Sequence, residues 1–339
     1  MQLPFVSRKT PWQLLLVFLI LAIFISSAGL IYYQSQKKEI KKNVEEELLA
    51  ISNLKLSQIV NWRKERLADA ATIRDNFLIA PYVQGLIRDP KGAKGKKELL
   101  SWMKSFKETF QYEDILLLSR AGIVLLSVSQ RSEVIGAAAS KLVSGAVKTR
   151  KTIFSDLYKG EVTDKVRLDI AVPILNDNKD DILGVILLRM DPDNFLFPLI
   201  ETWPTSSPTA ETMLVRREGD DVIYLNNLRH QKGTALTLRL SISQPRLPAA
   251  MVVRGKEGIL EGIDYRGTEV LAAVRSIPNS PWAIVSKVDK EEIYAPIRQR
   301  LWNVMLVIGL SIFSSGIGVL LLWRRREREE QRAYLHHLE

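Results

Sequence analysis

The chain has 339 residues, 46% of them apolar, and a formal net charge of +10. It has no cysteine and three histidines, His230, His336 and His337, which excludes disulfides and thiolate metal sites and leaves almost no room for a histidine-built zinc site. The basic excess does not point to nucleic acid: lysines and arginines are spread along the chain, and no aromatic-interleaved basic motif occurs.

In chain order, a tail of residues 1–11 precedes an apolar run from Trp12 to Tyr33 that holds no charged residue. A second uncharged run extends from Trp302 to Trp323. Each would reach roughly 33 Å as a helix, enough to cross a bilayer core. Both have aromatic ends, which suit the membrane–water interfaces. Arg324, Arg325, Arg326, Arg328 and Arg332 follow the second run, and the positive-inside rule puts residues 324–339 in the cytoplasm. Lys37, Lys38, Lys41 and Lys42 after the first run vote the other way, but the second excess is larger and long domains translocate largely regardless of charge. Ser26-Ser27-Ala28-Gly29 offers small residues for signal cleavage; the run is longer than a signal core, which favours an uncleaved anchor. Residues 34–301 are therefore expected on the outer face of a cell membrane, with both tails inside.

Residues 34–77 read as one long helix. Ile40, Val44, Leu48, Ile51, Leu56, Ile59, Trp62, Leu67, Ala70, Ile73 and Phe77 form an apolar stripe, and no Gly or Pro intervenes before Pro81. Such a helix would rise about 65 Å as a spine. Shorter helices are expected at 81–89 and 96–109, around a Gly- and Lys-rich loop at 90–97. The period then changes. Asp114–Ser119 and Gly122–Ser129 read as a hairpin, 137–149 as a helix, and Val166–Leu175 as an alternating strand. The turn Asn176–Asp181 leads into the strongly apolar strand Ile182–Met190. Residues 193–203 read as a short connecting helix. A second set of strands follows at Thr212–Arg216, Val222–Asn226, Gly258–Ile263, Glu269–Ser276 and Trp282–Val288. Asp289 and Glu292 suggest a capping box for a helix that runs through Pro296, a kink point and a candidate for signal transmission, into the second span. The fold class is α+β: two PAS-like antiparallel-sheet modules, 78–192 and 193–300, on a long N-terminal helix and flanked by transmembrane helices at 12–33 and 302–323.

Two stretches carry a resemblance to a known family: KLSQIVNWRKERLADAATIRDN (Lys55–Asn76) and GKEGILEGIDYRGTEVLAAVRSIPNSPWAIVSKVDKEEIYAPI (Gly255–Ile297). With the order of parts, they make residues 34–300 resemble the double Cache sensor region of bacterial receptors. The resemblance implies an extracytoplasmic sensor of a small molecule, a homodimer, and a cytoplasmic output that is a histidine kinase, a chemoreceptor hairpin or a diguanylate cyclase. The tail RRREREEQRAYLHHLE looks like the run-in to a cytoplasmic PAS domain of sensor histidine kinases, which makes a kinase the favoured output. No catalytic domain is seen in the chain itself.

The resemblance also implies a ligand pocket in the first, membrane-distal module. Candidate residues are Arg120, Phe154, Asp156, Tyr158, Arg167 and Asp169. Arginine pairs with a carboxylate, aspartate receives an ammonium and aromatics exclude water, so a carboxylate or an amino acid is the expected ligand class. The plainer readings carry more weight. Alternation puts Arg167 and Asp169 on a solvent face, and Phe154 and Tyr158 are more often core residues. The Arg–Trp and Tyr–Asp pattern of amino-acid-binding Cache domains is not evident. The turn Gly262–Gly267 reads as a hairpin tip more than a second pocket, and Asn176–Asp181 lacks the spacing of a calcium loop. No cofactor, metal site or catalytic motif is expected, and His336 and His337 look like linker rather than phospho-acceptors. An anchored module that binds a partner protein is the rival reading.

Overall fold

The structure, a computed structural model, describes residues 12–76, 78–89, 93–129, 135–161, 164–176, 178 and 181–336. The tail 1–11, Phe77, parts of the 90–97 loop and 176–181 turn, and His337 lie outside the described residues.

The first apolar run and the spine are one continuous helix, α1 (Trp12–Arg74), of 63 residues. Nothing in the sequence stops the backbone near Tyr33, so the passage from apolar run to spine is a change of surface, not of conformation. The second run belongs to another long helix, α7 (Lys290–His336), which stays helical through Pro296. Both are long and apolar enough to cross a membrane. Chain contacts define two units: Glu47–Asp289, and the terminal segments before and after it. Within the terminal unit, Ile308 of α7 packs so closely on Gly29 of α1 that a Cβ there would collide with it. Phe18 lies against Gly316, and the Lys37 ammonium sits 5.1 Å from the Tyr294 ring centre.

In the Glu47–Asp289 unit, Leu48, Ile51, Ile59, Trp62, Ala70 and Ile73 of α1 are buried, as their three- and four-residue spacing requires. Each large side chain removed from water contributes roughly 1.5–3 kcal/mol. Leu54 and Leu67 remain exposed.

The first module adds α2 (Ile79–Arg88), α3 (Ala93–Phe110), β1 (Asp114–Leu118), β2 (Val124–Ser127), α4 (Ala137–Thr149), β3 (Ile153–Phe154), β4 (Tyr158–Lys159), β5 (Val166–Leu175) and β6 (Ile182–Met190). The antiparallel sheet has the order β2-β1-β6-β5-β3, with β4 also paired to β5. Ile115, Leu117, Ile170, Val172, Ile186 and Leu188 pack toward α1, α2 and α3. Leu116, Leu118, Ala171, Val185 and Leu187 pack toward Ala139, Val143 and Ala146 of α4. Both faces are therefore covered. This corrects the expectation of a solvent face on β5: Arg167 and Asp169 are both buried. Alternation still operates, but it separates two interiors.

A single 3-10 turn (Pro192–Asn194) and the short helix α5 (Leu196–Glu201) connect the modules. Lys55 reaches from α1 to the C-terminal end of α5, donating to the carbonyl of Leu199 at 2.5 Å and to that of Thr202. A cation there satisfies carbonyls that the helix leaves open.

The second module contains β7 (Glu211–Glu218), β8 (Asp221–Tyr224), β9 (Arg239–Ser241), α6 (Pro248–Val253), β10 (Gly258–Ile263), β11 (Glu269–Ser276) and β12 (Trp282–Asp289). The sheet order is β10-β11-β12-β7-β8-β9. The short elements β9 and α6 were not expected, because their surroundings are rich in Ser and Pro and too brief for a periodic signal. Gly262 is needed where the Arg246 carbonyl and the Pro248 ring approach the strand: a Cβ would overlap the first and come within 2.9 Å of the second. Asp289 ends β12 directly before α7, and its carboxylate is 2.5 Å from an Arg266 nitrogen.

Candidate ligand site in the first module

The α4 face of the first sheet changes character toward the start of β1. Residues Asp114, Arg189 and Asp169 are successive cross-strand partners on β1, β6 and β5. Two-residue alternation puts them on the face of Leu116, Leu187 and Ala171. All three are buried. The Arg189 guanidinium donates to the two Asp169 carboxylate oxygens at 3.3 and 3.5 Å. Tyr158 of β4 donates its hydroxyl to Asp169 at 2.5 Å, and the Asp169 backbone N–H donates to the Ser155 hydroxyl at 2.8 Å. Asp114 accepts from the Ser127 hydroxyl at 3.0 Å and from Ser129, by its N–H at 3.1 Å and its hydroxyl at 2.5 Å.

The electrostatics are unbalanced. Burial pushes the Asp169 carboxyl above the usual carboxylate range, although Arg189, Tyr158 and Arg167 all pull the other way. Burial and the Asp169 charge push the Tyr158 phenol up as well. Glu113, next to this row, is raised chiefly by burial. A carboxyl that two arginines and a phenol fail to stabilise fully is a group with capacity for a further donor. Buried, perturbed groups of this kind concentrate at binding sites. The guanidinium can hold a carboxylate, and the Asp169–Tyr158 pair can hold an ammonium or hydroxyl.

The structure brings three of the six expected residues together: Tyr158, Arg167 and Asp169, with Tyr158 paired to Arg167 in the β4–β5 register. Arg120 lies at the other end of β1, in an exposed ion pair of 2.8 Å with Asp181. Phe154 faces the spine and meets Trp62 edge-on at 6.0 Å. Asp156 points at the second module, where it accepts from the Trp282 indole at 2.6 Å and pairs with Arg216 at 2.7 Å. Arg189, Asp114, Ser127 and Ser129 were missed. The signal for Arg189 was present: one arginine in the otherwise apolar strand Ile182–Met190. Two clefts lie elsewhere. One of about 610 Å³ is lined by Glu201, Glu211, Trp203, Arg229 and Lys232, and one of about 220 Å³ by Trp62, Arg66, Phe110 and Phe195. The larger cleft also holds raised carboxyls, Glu201 and Asp193, but Glu201, Arg229 and Lys232 are exposed, whereas Asp114, Arg189 and Asp169 are all buried and adjoin one another.

Comparisons with known proteins agree with this architecture. Among solved structures, the ligand-binding domain of the Campylobacter jejuni chemoreceptor Tlp3, in complex with L-norvaline, is 14% identical, with a TM-score of 0.53 over 75% of this chain and 94% of that one. The ligand-binding domain of the Pseudomonas aeruginosa PAO1 amino acid chemoreceptor PctB, in complex with L-Arg, is 16% identical, with a TM-score of 0.50 over 75% of this chain and 98% of that one. No curated protein matches. The likeness to these structures is one of fold. The Cache domain model of the double type matches residues 34–297, so the two sheet modules and their spine form a double Cache sensor region, and the chain belongs to the Cache domain family.

Proposed function

We propose that the chain is the sensor region of a two-pass receptor in a bacterial cell membrane, with residues 34–301 outside and 1–11 and 324–339 in the cytoplasm. The first module, 78–192, binds a small carboxylate or amino acid between its sheet and α4. The observation that carries this reading is the buried Tyr158–Asp169–Arg189 cluster, where burial holds a carboxyl above its ordinary range. Both structural neighbours are, by name, ligand-binding domains of chemoreceptors, one of them for amino acids, which supports the same ligand class. The receptor acts as a homodimer, and occupancy biases the second span between two states through the region of Pro296.

Two outputs fit. The tail after Trp323 favours a histidine kinase, and the neighbours favour a chemoreceptor. Reading the coding sequence beyond Glu339 separates them: a kinase core or a chemoreceptor hairpin identifies the output, and a stop codon argues against both.

The test of the ligand reading is thermal unfolding of the full chain in nanodiscs against a panel of amino acids and carboxylates. A ligand at a hundred times its Kd adds about 2.7 kcal/mol to the folded state. The expected result is a hit that Arg189→Ala and Asp169→Ala both abolish while Arg120→Ala keeps it. A hit indifferent to Arg189 and Asp169 would move the site elsewhere, and no hit on well-folded protein would favour a partner-binding module.

A further inference from the structure

The loop that carries Tyr158 into the ligand cluster is also clamped by the second module. Asp156 stands two residues before Tyr158, on the turn between β3 and β4. One of its carboxylate oxygens accepts from the Trp282 indole N–H at 2.6 Å; the other pairs with an Arg216 nitrogen at 2.7 Å. The same Arg216 nitrogen donates to the Leu157 carbonyl at 3.0 Å. Trp282 and Arg216 are register partners on β12 and β7, so Asp156 bridges a cross-strand pair of the second sheet. The spine closes the joint. The Arg63 guanidinium sits 4.6 Å from the Phe154 ring centre and 5.0 Å from that of Trp282, and donates to the Asn279 carbonyl at 3.1 Å. Trp282 is 1% exposed, so losing the Asp156 acceptor is costly for its indole N–H.

We propose that Asp156 is a positioning residue for the first-module ligand site, and that its bond to Trp282 couples Tyr158 to β12, the strand that runs directly into the second membrane helix. This deepens the sensor reading and rests on it for its biological sense. Tyr158 is two residues along the backbone from a carboxylate fixed at two points, so a ligand that draws Tyr158 and its backbone off Asp169 pulls on the Asp156 carboxylate. A charge-assisted bond this short, made by a buried indole, transmits that displacement better than apolar contact, which slides. Trp282 is the first residue of β12 and Asp289 the last, and α7 begins at Lys290.

The test needs no ligand. Hydrogen–deuterium exchange is measured on the full chain in nanodiscs for wild type, Tyr158→Phe, Trp282→Phe and the double variant. Both changes keep the ring and remove one polar group. Strand β10 of the second module, which touches neither residue, serves as the internal reference for a general loss of stability. The expected result is reciprocal: Tyr158→Phe speeds exchange at residues 282–286 about threefold or more relative to β10, and Trp282→Phe does the same at 155–159. The double variant should show less than the sum of the two effects, as coupled groups do. Asp156→Asn, which keeps an acceptor for the indole, should restore most of the protection that Asp156→Ala loses. Changes confined to the mutated residue's own module, or additive effects in the double variant, would overturn the proposal. A ligand hit without reciprocal exchange leaves the sensor reading intact and removes only this route; reciprocal exchange without a ligand hit does the reverse.

Discussion

The two modules share an architecture and differ in how they hold buried charge. The first buries Asp169 against Arg189 and Tyr158; the second buries Lys287 among Asp264 at 2.8 Å and Glu211 and Asp289 at 3.5 Å, with Arg266 2.7 Å from Asp264. In both, burial alone would raise the carboxyls. In the first it wins, and Asp169 sits above the usual range. In the second, hydrogen bonds from Lys287 and Arg266 outweigh it, and Asp264 sits below. Asp169 is fully buried and its Arg189 contacts are long, at 3.3 and 3.5 Å, whereas Asp264 keeps some exposure and takes two short, direct bonds from cations. Where cations outweigh burial the cluster is a structural brace; where burial outweighs them the carboxyl is the one a bound donor would stabilise. The brace sits on β12 and the turn beside it, next in sequence to α7, where a fixed lever is useful.

The sharpest way to break this contrast is to remove the centre of the brace. Lys287→Ala removes the buried ammonium shared by Asp264, Glu211 and Asp289, leaving Arg266 beside Asp264 and Asp289 only, and should cost about 3–5 kcal/mol in urea unfolding. A loss under about 1 kcal/mol would mean that the second cluster is not a brace. Packing, unlike charge, should be equally tight in the two modules. Gly262→Ala drives a Cβ into the Arg246 carbonyl, and Gly184→Ala places one 2.6 Å from the Leu118 carbonyl. Backbone oxygens cannot rotate away, so each should cost about 1–3 kcal/mol. A large gap between the two would show that the modules differ in rigidity as well as charge.

Stability against pH separates the two carboxyls by sign. Asp264 is lowered, so its contribution is present above the unfolded carboxylate value of about 3.9 and lost as pH falls through its lower folded value. The stability gap between wild type and Asp264→Asn should be flat from pH 7 to 4 and shrink below. Asp169 is raised, so its contribution is present at low pH and lost as pH rises through its folded value. Wild type should therefore gain stability relative to Asp169→Asn as pH falls from 7 toward 4. Parallel curves would remove the distinction. The smallest effect is expected at the rim of the first sheet, where the Arg120–Asp181 pair is half exposed. Arg120→Ala should change stability by less than about 0.5 kcal/mol.

Periodicity, charge and turn chemistry determined much of this protein before any contact was known. The two uncharged runs, the spine stripe, the bounds of β5, β6, β10 and β11, and the α+β order of parts are all local in origin: each follows from which residues recur at two or at three and four positions. Tertiary structure decided what those residues face. Arg167 and Asp169 look like a polar outer face until the fold buries both and sets Ser155 and Tyr158 on Asp169. Asp156 looks like a ligand group until β12, more than a hundred residues away, takes its carboxylate. Arg189 looks like an accident in an apolar strand until the register sets it between Asp114 and Asp169. Burial, register and the partner of a charge are properties of pairs distant in sequence. One strand's pattern specifies that it has two faces, and only the packing of other elements specifies which face is wet.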